Sequence, residues 1–120
     1  MSRIRINSKQ IFENYEDSFS EEHECEIIFL EDGFKIIYDI GEIIYDGVKV
    51  FLKGNSTNLI IEQNIKNLSE IHTPYGAIEI EVSGDKINCT YEPFNLEVRY
   101  FIKMGETKPY INELQVFVLN

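Results

Sequence analysis

Four consecutive residues, His23-Glu24-Cys25-Glu26, gather side chains that can hold a metal or move a proton. In an extended segment neighbouring side chains point to opposite faces, so His23 and Cys25 share one face and the two glutamates share the other. Two ligands without a third or fourth nearby make a poor metal site, and structural packing is the simpler reading of the run. The acidic set Glu13, Glu16, Asp17, Glu21 and Glu22 lacks the alternating oxygen ligands and central glycine of a calcium loop, and it reads as a solvated connection. Glu79 and Glu81 lie across from the neighbouring isoleucines, where water keeps both ionised; paired carboxylates in acid–base catalysis need one raised in an apolar pocket. His23 and His72 are the two histidines. No serine stands in a nucleophile elbow and no glycine-rich phosphate loop occurs. The residues therefore designate no catalytic group, no metal site and no cofactor, and the expectation is a protein that is not an enzyme.

The elements that carry these side chains are strands. One alanine, Ala77, stands against nineteen isoleucines, and β-branched residues pack well on a pleated surface while losing rotamer freedom in a helix. Composition is a weak guide, because an AT-rich genome also depletes alanine, so the strand assignment rests on periodicity. Ile4 and Ile6 open a first strand over about residues 2 to 12. Residues 13 to 22 are acidic and polar and read as a loop. Cys25, Ile27 and Phe29 then alternate with Glu24, Glu26 and Ile28 up to Glu31-Asp32-Gly33, a turn, and Phe34, Ile36, Tyr38 and Ile40 return as the second arm of a hairpin. Ile43-Ile44-Tyr45 is short and ambiguous. Asp46-Gly47 is a strong hairpin signal before Val48, Val50 and Leu52, and Gly54 to Thr57 turns the chain into Asn58 to Glu62. Residues 63 to 72 carry the weakest pattern and are assigned to an irregular edge strand in preference to a helical turn. Thr73-Pro74-Tyr75-Gly76 fits a tight turn. Ile78, Ile80 and Val82 follow, then a turn at Ser83-Gly84-Asp85, and further runs end at Leu96 to Ile102 and Leu114 to Val118.

A chain of 120 residues is one domain, residues 1–120, and can bury a core without staples. Its formal charge of −10 repels a nucleic-acid backbone and an anionic membrane surface alike, so neither is an expected partner. Arg3, Arg5 and Lys9 alternate as the solvated face of one strand. Cys25 and Cys89 have no paired spacing and read as reduced thiols. The N-terminal residues lack the apolar run of a signal peptide, and a cytoplasmic location is the expectation.

Eight or nine short antiparallel strands must each bury a face, which leaves a sandwich or a closed barrel; consecutive hairpins favour up-and-down order. Eight strands enclose room for packed side chains or one small ligand. The inner faces, with Ile27, Phe29, Ile36, Val50, Leu52, Ile80, Val98 and Val116 among them, are bulky. Tyr38 and Tyr100 point inward, and His72 and Tyr75 flank the proline turn at a rim; a tyrosine's apolar body and hydroxyl suit the orienting of a small apolar molecule. The plainer alternative is that both inward tyrosines simply fill the core. Phe51, Phe101 and Phe117, with Ile37 and Leu119, are apolar on the outer face. Should they adjoin, they make a patch for a protein partner, and a homodimer is its simplest cover.

The stretch Ile71-His72-Thr73-Pro74-Tyr75-Gly76-Ala77-Ile78-Glu79-Ile80-Glu81-Val82, Lys86-Ile87, Leu96-Glu97-Val98-Arg99-Tyr100, and then Gly105, Asn112, Leu114, Val116 and Val118 resembles the C-terminal half of the YwiB-like family. Phe34 to Asp39 and Gly47 to Leu59 resemble its middle strands more loosely. The resemblance implies an all-β, antiparallel, mostly up-and-down lipocalin-like (calycin-like) barrel of about eight strands, a bacterial source, and an analogy to ligand binding with no catalytic residue to carry over. Residues 62 to 72 are shorter than the family's usual length there, which implies an irregular strand or a barrel incompletely closed at that point.

Overall fold

A computed structural model describes residues 2–55 and 57–119; the expected turn from Gly54 to Thr57 thus includes Ser56, which lies outside them. Ten strands follow one another: β1 (Ser2–Ile11), β2 (Glu16–Phe29), β3 (Phe34–Tyr38), β4 (Gly41–Tyr45), β5 (Lys49–Gly54), β6 (Thr57–Glu62), β7 (Lys66–Thr73), β8 (Gly76–Tyr91), β9 (Phe94–Met104) and β10 (Tyr110–Val118). Each pairs antiparallel with its sequence neighbour, and β1 also pairs with β10, which closes an up-and-down barrel. The expected fold class holds, with ten strands instead of about eight. Ile43-Ile44-Tyr45 is a strand in its own right, and the weakly patterned segment is β7.

Two expected breaks are continuous strand. Residues 16 to 22 extend β2 instead of forming a loop, because their backbone pairs with β1 from Ile11–Glu16 to Ser2–Cys25. Ser83-Gly84-Asp85 lies inside β8, where the register to β9 shifts between Gly84 and Lys86. The extra residue of such a bulge bends the strand without ending it.

Alternation sorts the side chains. Ile4, Ile6, Phe34, Ile36, Ile43, Val50, Ile61, Ile80, Val82, Leu96, Val98 and Val116 fill the interior and are almost wholly excluded from solvent. Arg3 and Arg5 point outward and meet Glu22, with Arg5 Nη2 2.6 Å from its carboxylate. These ion pairs lie on the water side, as the spacing of the basic residues implies.

The two ends differ. At the end where β3 begins and β8 finishes, rings close the barrel: Phe34 and Phe94 have centroids 4.8 Å apart, and Tyr45 lies 5.8 Å from Phe34. Phe29 and Tyr91 complete this aromatic floor, yet remain 65% and 47% exposed at its edge. At the other end β3 stops at Tyr38 while β2 runs on toward Glu16, so the wall has a notch.

The seam between β6 and β7 is the thinnest. Among the described residues only Thr57–Ile71 and Asn58–Glu70 pair in regular register. The tight link beyond them is held instead by Gly84, whose carbonyl accepts the Asn64 N–H at 2.9 Å. The expectation of irregularity near residues 62 to 72 thus has a structural counterpart, although the barrel closes.

Candidate functional site

The notch opens onto a cleft of about 370 Å3. Its back wall is Ile6 and Ser8 of β1 with Leu114 of β10; one side is Phe19 and Glu21 of β2. The opposite side is Tyr38 and Ile40, with Ile43, Leu52 and Thr57 behind them. Ile6 and Ile43 belong to the buried core, so the cleft runs from solvent to the packed interior. The volume falls within the range of about 300–1,000 Å3 common for small-molecule sites.

Each lining residue is placed by strand phase. Cys25 faces inward opposite Tyr38, and stepping back by twos along β2 puts His23, Glu21 and Phe19 on that same face. No β3 residue pairs with them in the ladder, and Phe19, beyond the reach of β3, is 55% exposed. Tyr38 is half-buried; burial pushes its phenol above the ordinary tyrosine range, and the carboxylates of Glu21 and Asp39 push it further. A neutral phenol at the mouth of an apolar cleft can donate a hydrogen bond to a ligand oxygen.

Beside Tyr38 sits a polar group that the spacing does not announce. His23 Nδ1 lies 2.8 Å from Asp39 Oδ1, its Nε2 lies 3.4 Å from Glu21 Oε2, and its ring centroid is 5.0 Å from that of Tyr38. A cysteine, a histidine and an aspartate therefore stand on neighbouring positions. They do not form a nucleophilic relay: among the described residues no hydrogen bond joins Cys25 to His23, and burial raises the Cys25 thiol, which disfavours the thiolate. Among the described residues no three His, Cys, Asp or Glu side chains are grouped to hold a metal ion.

The four residues singled out for a ligand are not brought together. Tyr38 lines the cleft. Tyr100 points inward but is 7% exposed, enclosed between Gly84 and Asn112 on the neighbouring strands. His72 faces outward, because Ile71 and Thr73 take the inward positions of β7, and its Nε2 lies 4.0 Å from Glu70. Tyr75 is wholly exposed at the tip of the β7–β8 hairpin, where the Thr73 hydroxyl donates to the Gly76 carbonyl at 2.7 Å.

The three outer phenylalanines are separated as well. Phe101 pairs across to Ile111 and Phe117 across to Asn95, six positions apart along the same strand pair, roughly 20 Å at the rise of a strand. Phe51 lies on β5, four strands from β9, between Ile44 and Ile60. Phe117 is itself covered by the Arg5 guanidinium, 5.7 Å from its ring centroid.

A larger depression, about 760 Å3, lies beside the outer faces of β1, β9 and β10. Its charged groups on β8, β9 and β10 are paired, Arg99 with Asp85 at 3.2 Å and Glu113 at 3.4 Å and Lys86 with Glu97 at 4.0 Å, while Asn7 of β1 and Ser18 and Ser20 of β2 complete its polar wall. The cleft at the notch, with its apolar wall and single buried-side phenol, is the more apolar of the two.

The family model described as a domain of unknown function, DUF1934, matches residues 4–116. The chain belongs to the DUF1934 family. Its fold is similar to that in the crystal structure of ywiB protein from Bacillus subtilis, with a TM-score of 0.71 over 98% of this chain and 89% of that one, at 8% sequence identity. At that identity the likeness speaks for the barrel and not for a ligand. No curated protein matches the chain. The YwiB-like resemblance read from the Pro74-Gly76 turn and the strands after it is thus met by both family and fold.

Proposed function

We propose that this barrel is a cytoplasmic, non-enzymatic protein that binds a small apolar molecule in the cleft at the notch. The observation that carries the reading is the cleft itself: about 370 Å3, reaching the core residues Ile6 and Ile43, with Tyr38 at its side. Burial of an apolar ligand there contributes about 25 cal/mol for each Å2 removed from water, and the Tyr38 hydroxyl supplies orientation. Tyr100 serves the core in this reading, and His72 and Tyr75 stand away from the ligand. Among the described residues no helix is long and apolar enough to cross a membrane, and the net charge of −10 favours neither lipid headgroups nor nucleic acid.

Native mass spectrometry of protein purified without organic solvent tests the proposal. A retained mass that disappears in Ile40→Trp, which places a large ring on the rim of the cleft without disturbing the buried core, is the expected result. Because the chain has no tryptophan, a separate Phe19→Trp variant, which keeps an aromatic ring on the cleft lining, reports re-addition of the extracted molecule through its emission. A protein that retains nothing, and whose Phe19→Trp emission is unchanged by its own lipid-soluble extract, overturns the reading.

A further inference from the structure

The closed end of the barrel carries apolar surface that the fold leaves in water. Phe29, Leu30 and Val48 are 65%, 45% and 62% exposed, and Tyr91 is 47% exposed. These side chains adjoin: the Phe29 ring lies 6.4 Å from that of Tyr91, and Tyr91 and Val48 line one recess of about 360 Å3. Partly buried Tyr45 and Cys89 form more of its wall, and exposed Asp32 and Asp46 bring two carboxylates to it.

Two turns in contact place those carboxylates. The β2–β3 turn, where the Leu30 N–H donates to the Gly33 carbonyl at 2.9 Å, packs against the β4–β5 turn. A β-carbon on Gly47 would lie 2.9 Å from the Asp32 carbonyl oxygen and 3.2 Å from the Asp32 β-carbon. Asp46 uses Oδ1 for the N–H groups of its own turn. The nearest lysines along the chain are engaged elsewhere, Lys35 with Glu42 at 3.7 Å and Lys49 with Glu62 at 3.8 Å. Among the described residues no lysine or arginine lies within ion-pair distance of Asp32 or Asp46. Glu31 and Glu92, on the turns beside them, are exposed and of the same sign.

An exposed apolar patch rimmed by charge marks an interaction surface, and here the sign of the rim selects the occupant. A second copy would set carboxylates against carboxylates in a chain whose net charge is already −10. A small amine would fill the recess and leave Phe29 and Leu30, which do not line it, in water. A protein surface with a cation set among apolar side chains covers both. Among cations, the arginine guanidinium stacks on aromatic rings, forks onto carboxylates and gives up its hydration more readily than an ammonium.

We propose that the closed end docks a partner protein, which inserts one arginine side chain into the recess between Asp32, Asp46, Tyr45 and Tyr91 and lays flanking apolar side chains on Phe29, Leu30 and Val48. The Asp32 carboxylate, free of other partners among the described residues, accepts the guanidinium hydrogen bonds. A buried arginine anchor within an apolar surround is the arrangement that concentrates binding energy at protein interfaces. The surface lies at the end opposite the notch, so the proposal goes beyond the small-molecule reading and does not depend on it.

The test titrates the isotopically labelled full chain with the peptide Gly-Leu-Arg-Leu-Gly and with the same peptide carrying citrulline, a neutral isostere, in place of arginine. Amide chemical shifts report binding. The arginine peptide is expected to move the amides of residues 31 to 33, 46 to 48 and 89 to 92 saturably, and the citrulline peptide to bind about tenfold more weakly or less. Asp32→Asn is expected to weaken the arginine peptide about tenfold as well. Should that variant fail to fold, protection of Cys89 in the unaltered protein from iodoacetamide, by the arginine peptide and not by the citrulline peptide, decides. Absence of saturable shifts, equal binding of both peptides, shifts centred on other acidic surfaces, or undiminished affinity in the folded variant overturns the proposal. N-acetylarginine amide binding as tightly as the peptide, the mark of a small-amine site, overturns it too, as do concentration-dependent shifts of the same amides without peptide, the mark of a contact between copies. A molecule in the cleft moves amides at the notch instead, so the two readings fail separately.

Discussion

Gly84 of β8 lies directly beneath the carbonyl of Glu62, so close that a β-carbon on the glycine would collide with it. The contact is backbone on backbone, and neither partner can rotate out of the way. Through it the β6–β7 link seats on the barrel, and the Asn64 N–H reaches the Gly84 carbonyl. Replacing Gly84 by alanine is expected to cost about 1–3 kcal/mol. Gly54→Ala, where the added methyl meets nothing nearer than 3.8 Å, is expected to cost less than about 1 kcal/mol. Urea denaturation of the two variants, side by side, checks the difference.

Phe34 anchors the closed end. Its ring is fully buried and touches Tyr45 and Phe94, so truncation leaves a void that the short β3 and β4 strands cannot collapse into. Phe34→Ala is expected to lower the unfolding free energy by about 3–5 kcal/mol. Phe101→Ala, on the outer face, is expected to lower it by much less, which a shift in denaturation midpoint at unchanged slope would show.

The Asp46 carboxylate organises the β4–β5 turn. Its Oδ1 accepts hydrogen bonds from the Val48 and Lys49 N–H groups at 2.8 Å and 2.7 Å, beside Gly47 at a φ of +99°. The Lys49 N–H bond, foremost, holds the carboxyl below the usual aspartate range. A carboxyl depressed in the folded state adds stability above its unfolded value, roughly pH 4, and that stability is lost as pH falls through the lower folded value. Asp46→Ala is therefore expected to destabilise by about 1–2 kcal/mol at neutral pH. The gap to the unaltered protein should narrow below roughly pH 4, measured as two denaturation curves at each pH.

Alkali acts in the opposite sense. Burial, first among the causes, raises the phenols of Tyr38, Tyr45, Tyr91, Tyr100 and Tyr110, with Tyr100 the most strongly displaced. A phenol raised in the folded state leaves stability intact below its unfolded value, roughly pH 10, and removes it as pH climbs beyond. Tyrosinate absorbance is expected to rise in two stages, the second coinciding with loss of the far-ultraviolet strand signal. Tyr100→Phe removes one phenol from that second stage and moves unfolding to higher pH.

The sequence shows most of this barrel because isoleucine, valine and phenylalanine mark the inward face on nearly every strand. It hides β2 from Glu16 to Glu24, where one face meets water and the other meets the cleft, so neither needs to be apolar and the alternation falls silent. Only strand phase, counted back from Cys25, could have placed Phe19 and Glu21 inside. Ser83-Gly84-Asp85 has the composition of a turn, but its glycine answers the approach of Glu62 from a strand distant in register. Among the candidate site residues, Tyr38 lies where its phase puts it, at the cleft. His72 is outward for the same reason of phase, since Ile71 and Thr73 occupy the inward positions, and Tyr75 belongs to a hairpin that overshoots the wall. The pairing of His23 with Asp39 needs the third dimension, because it joins β2 to the residue just past the end of β3.

The two-rung ladder between β6 and β7 gives this container a weak stave. Among the described residues, parting those walls breaks fewer ladder pairs than parting any other neighbours, once the prop at Gly84 and the Glu62–Ile65 bridge let go. Breathing should therefore begin there and wet Leu59 and Ser69 first, so the interior has a side door as well as its mouth.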